Sequence, residues 1–426
     1  MSFLTNLVGL IALIVVLELL SFLTVRFTRK RFQWFITKKE DEIPDMNKKA
    51  LVEKKYFEKG FDPELGWVRK PNTSGNDTIF YQKEDGSWDY RKSIWNINKR
   101  DSRLHPGFEN KNNKLISCYG DSFAFSRQVN DNETWCYYLS ELTNSNVMNW
   151  GIGNYGLDQA LLRLEREFPK NKTKIVVMAV VPDTISRIVS YWKHFYEYGN
   201  VWAFKPRFEL DVNNKLRFIP NLMDKPDKFF ELEKYIDELK KHDYFYKEKF
   251  QKDLLKFPYL FHIMKNQKRN LSIISKVIKR SLKSYLFQKE KVAEPMDSDA
   301  MLAVRRINLL WTVRLYKDES TVKLMEKLID IFADLGKRFK FKPVFVFLPQ
   351  KNEVLYESKE KEFYTPFFKK ISEKIDTIDV TTPILNHPNI DSLYSENTIY
   401  GAHLSNKGNA FVGKVIYEGL KNKGIL

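Results

Sequence analysis

Ser122 and His403 are the two side chains in this sequence whose settings best suit nucleophilic chemistry. Ser122 lies in Gly120-Asp121-Ser122-Phe123, directly after the apolar run Leu115-Ile116-Ser117-Cys118-Tyr119 and ahead of a segment read as helical. A serine at such a strand-to-helix turn stands at the carboxyl edge of a sheet, where ligands bind in open α/β folds. Free backbone N–H groups at a helix entry can also stabilise a developing oxyanion, although a serine there can equally serve as a plain N-cap. To attack, its hydroxyl needs a base within hydrogen-bond reach. The chain offers six histidines, at 105, 194, 242, 262, 387 and 403. His403 differs from the rest because Gly401-Ala402-His403-Leu404-Ser405 precedes the amphipathic stretch Asn409 to Leu420. With Ser405 as N-cap, His403 falls on a loop at a second helix entry. The other five read as surface or packed residues.

A sheet must bring two residues so far apart in sequence together. Five short apolar runs alternate with helical patterns: 115–119, 146–149, 175–180, 344–348 and 375–380. Continuous apolar strands separated by helices predict a parallel sheet covered on both faces. Leu157 to Phe168 and Val322 to Leu335 have the spacing of covering helices. A turn-rich, β-prone lead-in occupies 61–110, with a strand-like run at Thr78 to Tyr81. The main domain then runs from 111 to 426. Aromatic and charged text at about 190–320 interrupts its rhythm and reads as an insertion between two strands.

The early Gly-Asp-Ser-Phe block and the late Gly-Ala-His-Leu-Ser-Asn-Lys-Gly-Asn block resemble the first and last blocks of the SGNH (GDSL-type) hydrolase family. The similarity covers roughly 114–184 and 343–420. It implies a flavodoxin-like three-layer α/β/α fold, and hydrolysis or transfer of ester-linked acyl groups. In that family a glycine N–H of the second block helps to form the oxyanion hole. Here Asn149-Trp150-Gly151-Ile152-Gly153-Asn154-Tyr155-Gly156 is similar, with Asn154 at the best-matching position and Gly153 beside it. The resemblance therefore assigns Ser122, Gly153 and Asn154 as backbone donors. Asparagine tolerates a positive φ better than most residues. Two positions depart from the family pattern. Pro182 stands where the third block carries an asparagine, and Tyr400 stands where an aspartate precedes the histidine by three residues. Glu396 is the nearby carboxylate that could orient His403; without it the site is a Ser-His dyad. Arg187 is a candidate contact for an anionic substrate group or a partner in a surface ion pair.

Phe3 to Val25 is apolar apart from Asn6, Glu18 and a few hydroxyls. At about 1.5 Å per residue it spans roughly 34 Å, enough for a bilayer core of about 30 Å. It is too long for a signal-peptide core and lacks a basic lead, so it reads as a single transmembrane anchor. Glu18 inside it must be paired, protonated or near the interface. Arg26, Arg29, Lys30, Arg31, Lys38 and Lys39 follow the span and no Lys or Arg precedes it. The positive-inside rule then predicts a cytoplasmic main domain, whereas analogy with anchored esterases favours the opposite side. Residues 26–60 form a basic juxtamembrane stalk.

The formal net charge is +17, compatible with nucleic acid, an anionic membrane or an acidic substrate, or with lysine-rich coding alone. No zinc-knuckle, RNA-recognition or helix-turn-helix signature supports nucleic acid. From Gln251 to Lys291, eleven Lys or Arg face Asp253 and Glu290, with Ile273, Ile274, Val277, Ile278, Leu282 and Leu286 near helical spacing. That pattern suits a basic helix on an anionic leaflet or an ordinary helix with a solvated lysine face. Cys118 and Cys136 read as buried thiols. No metal-ligand cluster or glycine-rich phosphate loop emerges, so no cofactor is expected. Two functions follow. One is a membrane-anchored serine esterase or acyltransferase acting on ester-linked acyl groups of a small molecule or of a lipid-linked or surface carbohydrate. The other is a catalytically weak SGNH-like module that binds glycan or scaffolds a membrane complex.

Overall fold

The computed structural model describes residues 3–37, 39–46, 56–82, 88–111, 113–286, 299–359, 362–395 and 402–426. It separates into two compact units. One comprises Met1–Lys49, Trp192–Ala203 and Asp227–Asn308; the other comprises Ala50–Tyr191, Phe204–Pro226 and Leu309–Leu426. The text between about 190 and 320 is thus shared between them.

Among the described residues, all the strands belong to the second unit. The lead-in supplies β1 (Phe61–Asp62) and β2 (Gly66–Trp67), an antiparallel pair, then β3 (Ser74–Gln82) and β4 (Trp88–Asn96), a second antiparallel pair. The apolar runs become β5 (Ile116–Gly120), β6 (Met148–Gly151) and β7 (Ile175–Val180). A hairpin, β8 (Arg207–Leu210) with β9 (Leu216–Ile219), follows. β10 (Lys342–Phe347) and β11 (Asp376–Ile378) complete the set.

β5, β6, β7, β10 and β11 form one parallel sheet in the order β11-β10-β7-β5-β6. Numbered along the chain this is the flavodoxin-like order, and its direction reverses between β5 and β7, the switch point at which such sheets bind ligands. Every residue of β5 and β7 is buried, which explains why these strands read as unbroken apolar runs rather than alternating ones.

Helices cover both faces. Trp135–Thr143 and Asn406–Asn422 pack together over Ile116, Cys118, Val177, Ala179, Val344 and Val346. Leu157–Glu167 and Glu319–Phe339 pack together on the other side. Period-2 alternation along each strand sends alternate side chains to each layer. The result is a three-layer α/β/α domain. Cys118 and Cys136 are both buried free thiols within the first layer.

In the first unit, Phe3–Arg31 is a single helix of 29 residues, extending past the expected end at Val25. Its N-terminal two-thirds expose apolar side chains almost throughout. Its C-terminal end packs into a cluster in which Val25, Phe32 and Phe35 meet Leu255, Ile263, Ile273, Ile274 and Val277. Glu18 is paired within the chain: its carboxylate accepts the backbone N–H groups of Tyr259 (2.5 Å) and Leu260 (2.9 Å).

Candidate functional site

β5 ends in Gly120, whose φ of +149° and approach to Ala179 leave no room for a side chain; a Cβ there would lie 1.7 Å from the Ala179 carbonyl oxygen. The strand can therefore turn sharply beside β7 only with glycine at this point. Asp121 and Ser122 follow at the switch point.

The expected helix after Ser122 is absent. Residues 122–128 form a chain of turns, and the helix begins only at Trp135. Ser126 and Gln128 both have positive φ (57° and 72°), which no α-helix accommodates. Buried Arg103 stabilises the irregular path: its guanidinium donates to the carbonyls of Phe125 (2.5 Å), Ser126 (2.7 Å) and Val129 (2.6 Å), and to Asp131 (3.0 Å). These carbonyls, which a helix would satisfy internally, find their partner in the lead-in instead.

Ser122 and His403 meet. The His403 Nε2 to Ser122 Oγ distance is 2.9 Å, ordinary hydrogen-bond geometry. The Phe123 ring stacks against the imidazole, with centroids 4.8 Å apart. Ser405 caps the following helix by accepting Gly408 N–H at 3.0 Å, as the sequence predicts, and that helix runs Asn406–Asn422.

The loop carrying His403 is held at both ends. Ser405 N–H donates to the Leu393 carbonyl and Ser395 N–H to the His403 carbonyl, each at 2.8 Å. Gln128 is the third tether: its Oε1 accepts from Ser395 Oγ (2.5 Å) and His403 N–H (3.3 Å). Buried Asn409 joins this loop to the helix Trp135–Thr143, accepting Trp135 N–H and donating to the carbonyls of Leu404 and Ser405.

Beneath Ser122 lies a buried tier of charge. Asp121 accepts Phe123 N–H and Val181 N–H, both at 2.8 Å, and pairs with Arg187 at 3.1 Å. Arg187 also pairs with Asp183 (3.1 Å) and donates to the Tyr155 carbonyl (3.1 Å). Asp183 accepts from Thr312 Oγ1 (2.7 Å), while its N–H donates to Glu353 (2.8 Å). Arg187 is therefore an internal brace across the switch point, not a surface pair. Burial raises the Asp121 carboxyl, against the pull of Arg187 and three backbone N–H groups. Burial first, then Asp183, raises Glu353 well above the usual carboxylate range.

On the second-block loop, Asn154 has φ +68° and is exposed. Nothing crowds Gly153, whose carbonyl accepts from Trp67 Nε1 at 2.9 Å. Pro182 brings no side-chain donor, and its carbonyl accepts from Tyr316. Glu396 and Tyr400 lie outside the described residues. The remaining histidines have other partners. His105 is buried against the Val147 carbonyl and Thr134, and burial, then Arg103, lowers it to about 3. His194 meets the Asp41 carbonyl, and His242 meets Glu238. His262 and His387 bond nearby backbone. Among the described residues no His/Cys/Asp/Glu group suits a metal ion. A groove lined by Gly336, Lys342 and Asp376 opens at the opposite, N-terminal edge of β10 and β11.

Sequence reasoning did not single out Arg103, Gln128 or Glu353. Glu353 follows the C-terminal end of β10, a position where a carboxylate merits attention in such sheets. Arg103 and Gln128 carry no comparable local signal.

No protein-family model matches the sequence, and no curated protein is similar to it in sequence. Among solved structures, a G-D-S-L family lipolytic protein from Desulfitobacterium hafniense DCB-2 is 10% identical, with a TM-score of 0.31 over 72% of this chain and 100% of that one. A lipase/acylhydrolase from Enterococcus faecalis is 10% identical, with a TM-score of 0.29 over 73% of this chain and 96% of that one. The fold assignment rests on the strand order itself.

Proposed function

We propose that this chain is a membrane-anchored SGNH-type serine hydrolase or O-acyltransferase acting on ester-linked acyl groups of a small molecule or carbohydrate. The observation that carries the reading is the 2.9 Å Nε2–Oγ bond at the carboxyl edge of the sheet. His403 takes the Ser122 proton as Ser122 Oγ attacks the ester carbonyl. The oxyanion is met by backbone N–H groups of Ser122 and of Gly153 or Asn154. Collapse expels the alcohol, which receives the proton from His403 and leaves an acyl-Ser122. Water or a second hydroxyl, deprotonated by His403, then releases the acyl group. Hydrolysis and transfer share every step up to that arrival.

A fluorophosphonate probe tests the nucleophile: labelling of the wild type that vanishes in Ser122→Ala is expected. Absence of labelling in the wild type would favour the second reading, a binding or scaffolding module, which Pro182 favours by removing one oxyanion donor. Glu396 is the carboxylate proposed to orient His403. Glu396→Gln is then expected to lower turnover by about 10⁴-fold, as for the equivalent change in serine proteases; unchanged turnover would leave a Ser-His dyad. The flanking cations support a cytoplasmic sheet domain, and protease added to intact cells is then expected to spare it; digestion from outside would overturn that orientation.

A further inference from the structure

The anchor helix is not the only apolar surface exposed by the first unit. Helix Gln267–Leu286 turns Ile273, Ile274 and Val277 inward against Val25, Phe32 and Phe35. A second apolar stripe, Leu271, Ile278, Leu282, Tyr285 and Leu286, is exposed. At about 3.6 residues per turn these five fall within an arc of roughly 100°. Lys268, Lys276, Lys279 and Lys283 occupy the adjoining arc. Just upstream, Phe257, Phe261 and Met264 are exposed as well. A water-facing helix would carry charge on this side; one lying in a lipid boundary has this division, apolar residues toward the acyl chains and lysines toward the phosphates.

Glu18 fixes the depth. It lies eight residues before Arg26, so about 12 Å inward from the first cation of the basic end. Its carboxylate caps the start of helix Tyr259–Lys265, and Phe22 meets the Tyr259 ring. Tyr259 and Leu260 are therefore held at a level that lies within the bilayer if the helix spans it. An acidic side chain at that level is costly without partners, and the two N–H groups supply them.

We infer that residues 257–286 form a monotopic foot that sits in the headgroup–acyl boundary of the same leaflet as the basic end of the anchor, with anionic phospholipid as its ligand. The inference rests on the reading of Phe3–Arg31 as a membrane span. The lysines bind lipid phosphates while the Leu271–Leu286 stripe and Phe261 enter the acyl region. The foot thereby keeps the first unit from tilting about a lone helix.

The test uses the full chain in nanodiscs containing phosphatidylglycerol, with single environment-sensitive labels on Leu13→Cys and Leu282→Cys, and lipid-borne quenchers near the carbonyls and at mid-chain. The native cysteines are buried. We expect Leu13 to be quenched by the mid-chain probe and Leu282 by the carbonyl-level probe. Quenching at Leu13 with none at Leu282 would overturn the foot and leave the anchor standing. No quenching at Leu13 would overturn both. A second variant, Leu271→Asp/Leu282→Asp, should abolish quenching of a label at Phe261→Cys; full retention of quenching would also count against the foot.

Discussion

Ser122 and His403 reach their shared hydrogen bond from two differently built supports. Ser122 stands on the sheet, two residues beyond a glycine whose place at the switch point admits no side chain, above a tier of buried ion pairs from Asp121 through Arg187 to Asp183. His403 stands on a loop between Leu393 and Ser405, held by neutral hydrogen bonds and by a glutamine in a left-handed conformation. Desolvated charges resist removal of either partner, because the one left behind is buried and unpaired. Neutral tethers cost little when lost. The support of Ser122 should accordingly fail through stability, and that of His403 through geometry.

The largest expected effects ignore the distinction. Ser122→Ala and His403→Ala should each lower ester turnover by about 10⁶-fold, as in a well-studied serine hydrolase, with circular dichroism unchanged; wild-type rates in either would overturn the site. Arg187→Met should destabilise the sheet domain by about 3–5 kcal/mol, read as a lower urea midpoint, with Arg187→Lys losing less. A midpoint unmoved in Arg187→Met would erase the contrast between the two supports. Gln128→Ala should do the reverse. Its midpoint stays near that of the wild type while kcat drops by up to about 10²-fold, the scale set by misplacing a reacting group by about 1 Å. A large loss of stability without loss of kcat would remove Gln128 as a positioning residue.

The smallest effect is one of pH. Glu353 holds its proton above the usual carboxylate range when folded. Unfolding above a pH of about 4.3, the ordinary glutamate value, therefore releases a proton, and stability must fall as pH rises through the window up to the folded pKa. Glu353→Gln should flatten that slope in urea titrations, leaving the part due to Asp121, which is raised in the same sense. A slope as steep as the wild type's would show that Glu353 titrates normally.

Much of this was readable in the chain itself. All five sheet strands coincide with apolar runs, since strands buried on both faces leave no polar alternation to confuse with a surface element. Ser122 and His403 were singled out because each adjoins a recognisable boundary, a strand end in one case and a helix cap in the other. What escaped is what depends on long-range partners. Nothing near Ser122 announces that its helix is replaced by turns, because the residue responsible, Arg103, lies beyond the far side of β5. Arg187 was read as facing substrate or solvent, since a single cation shows its charge but not its burial. Gln128 is an ordinary amide until a loop some 270 residues away closes over it.

Arg103 also bears on how the chain can be divided. The family-like text begins after it, and a fragment cut at residue 111 would keep every block of the resemblance. It would lack the guanidinium that gathers Phe125, Ser126 and Val129, leaving three buried carbonyls and Asp131 to find other partners. The lead-in is thus not a dispensable preface but a clasp closed over the turn that carries Ser122. During synthesis it leaves the ribosome before the turn it clasps exists. Any transplant of this domain behind another N-terminal helix would have to carry the clasp along.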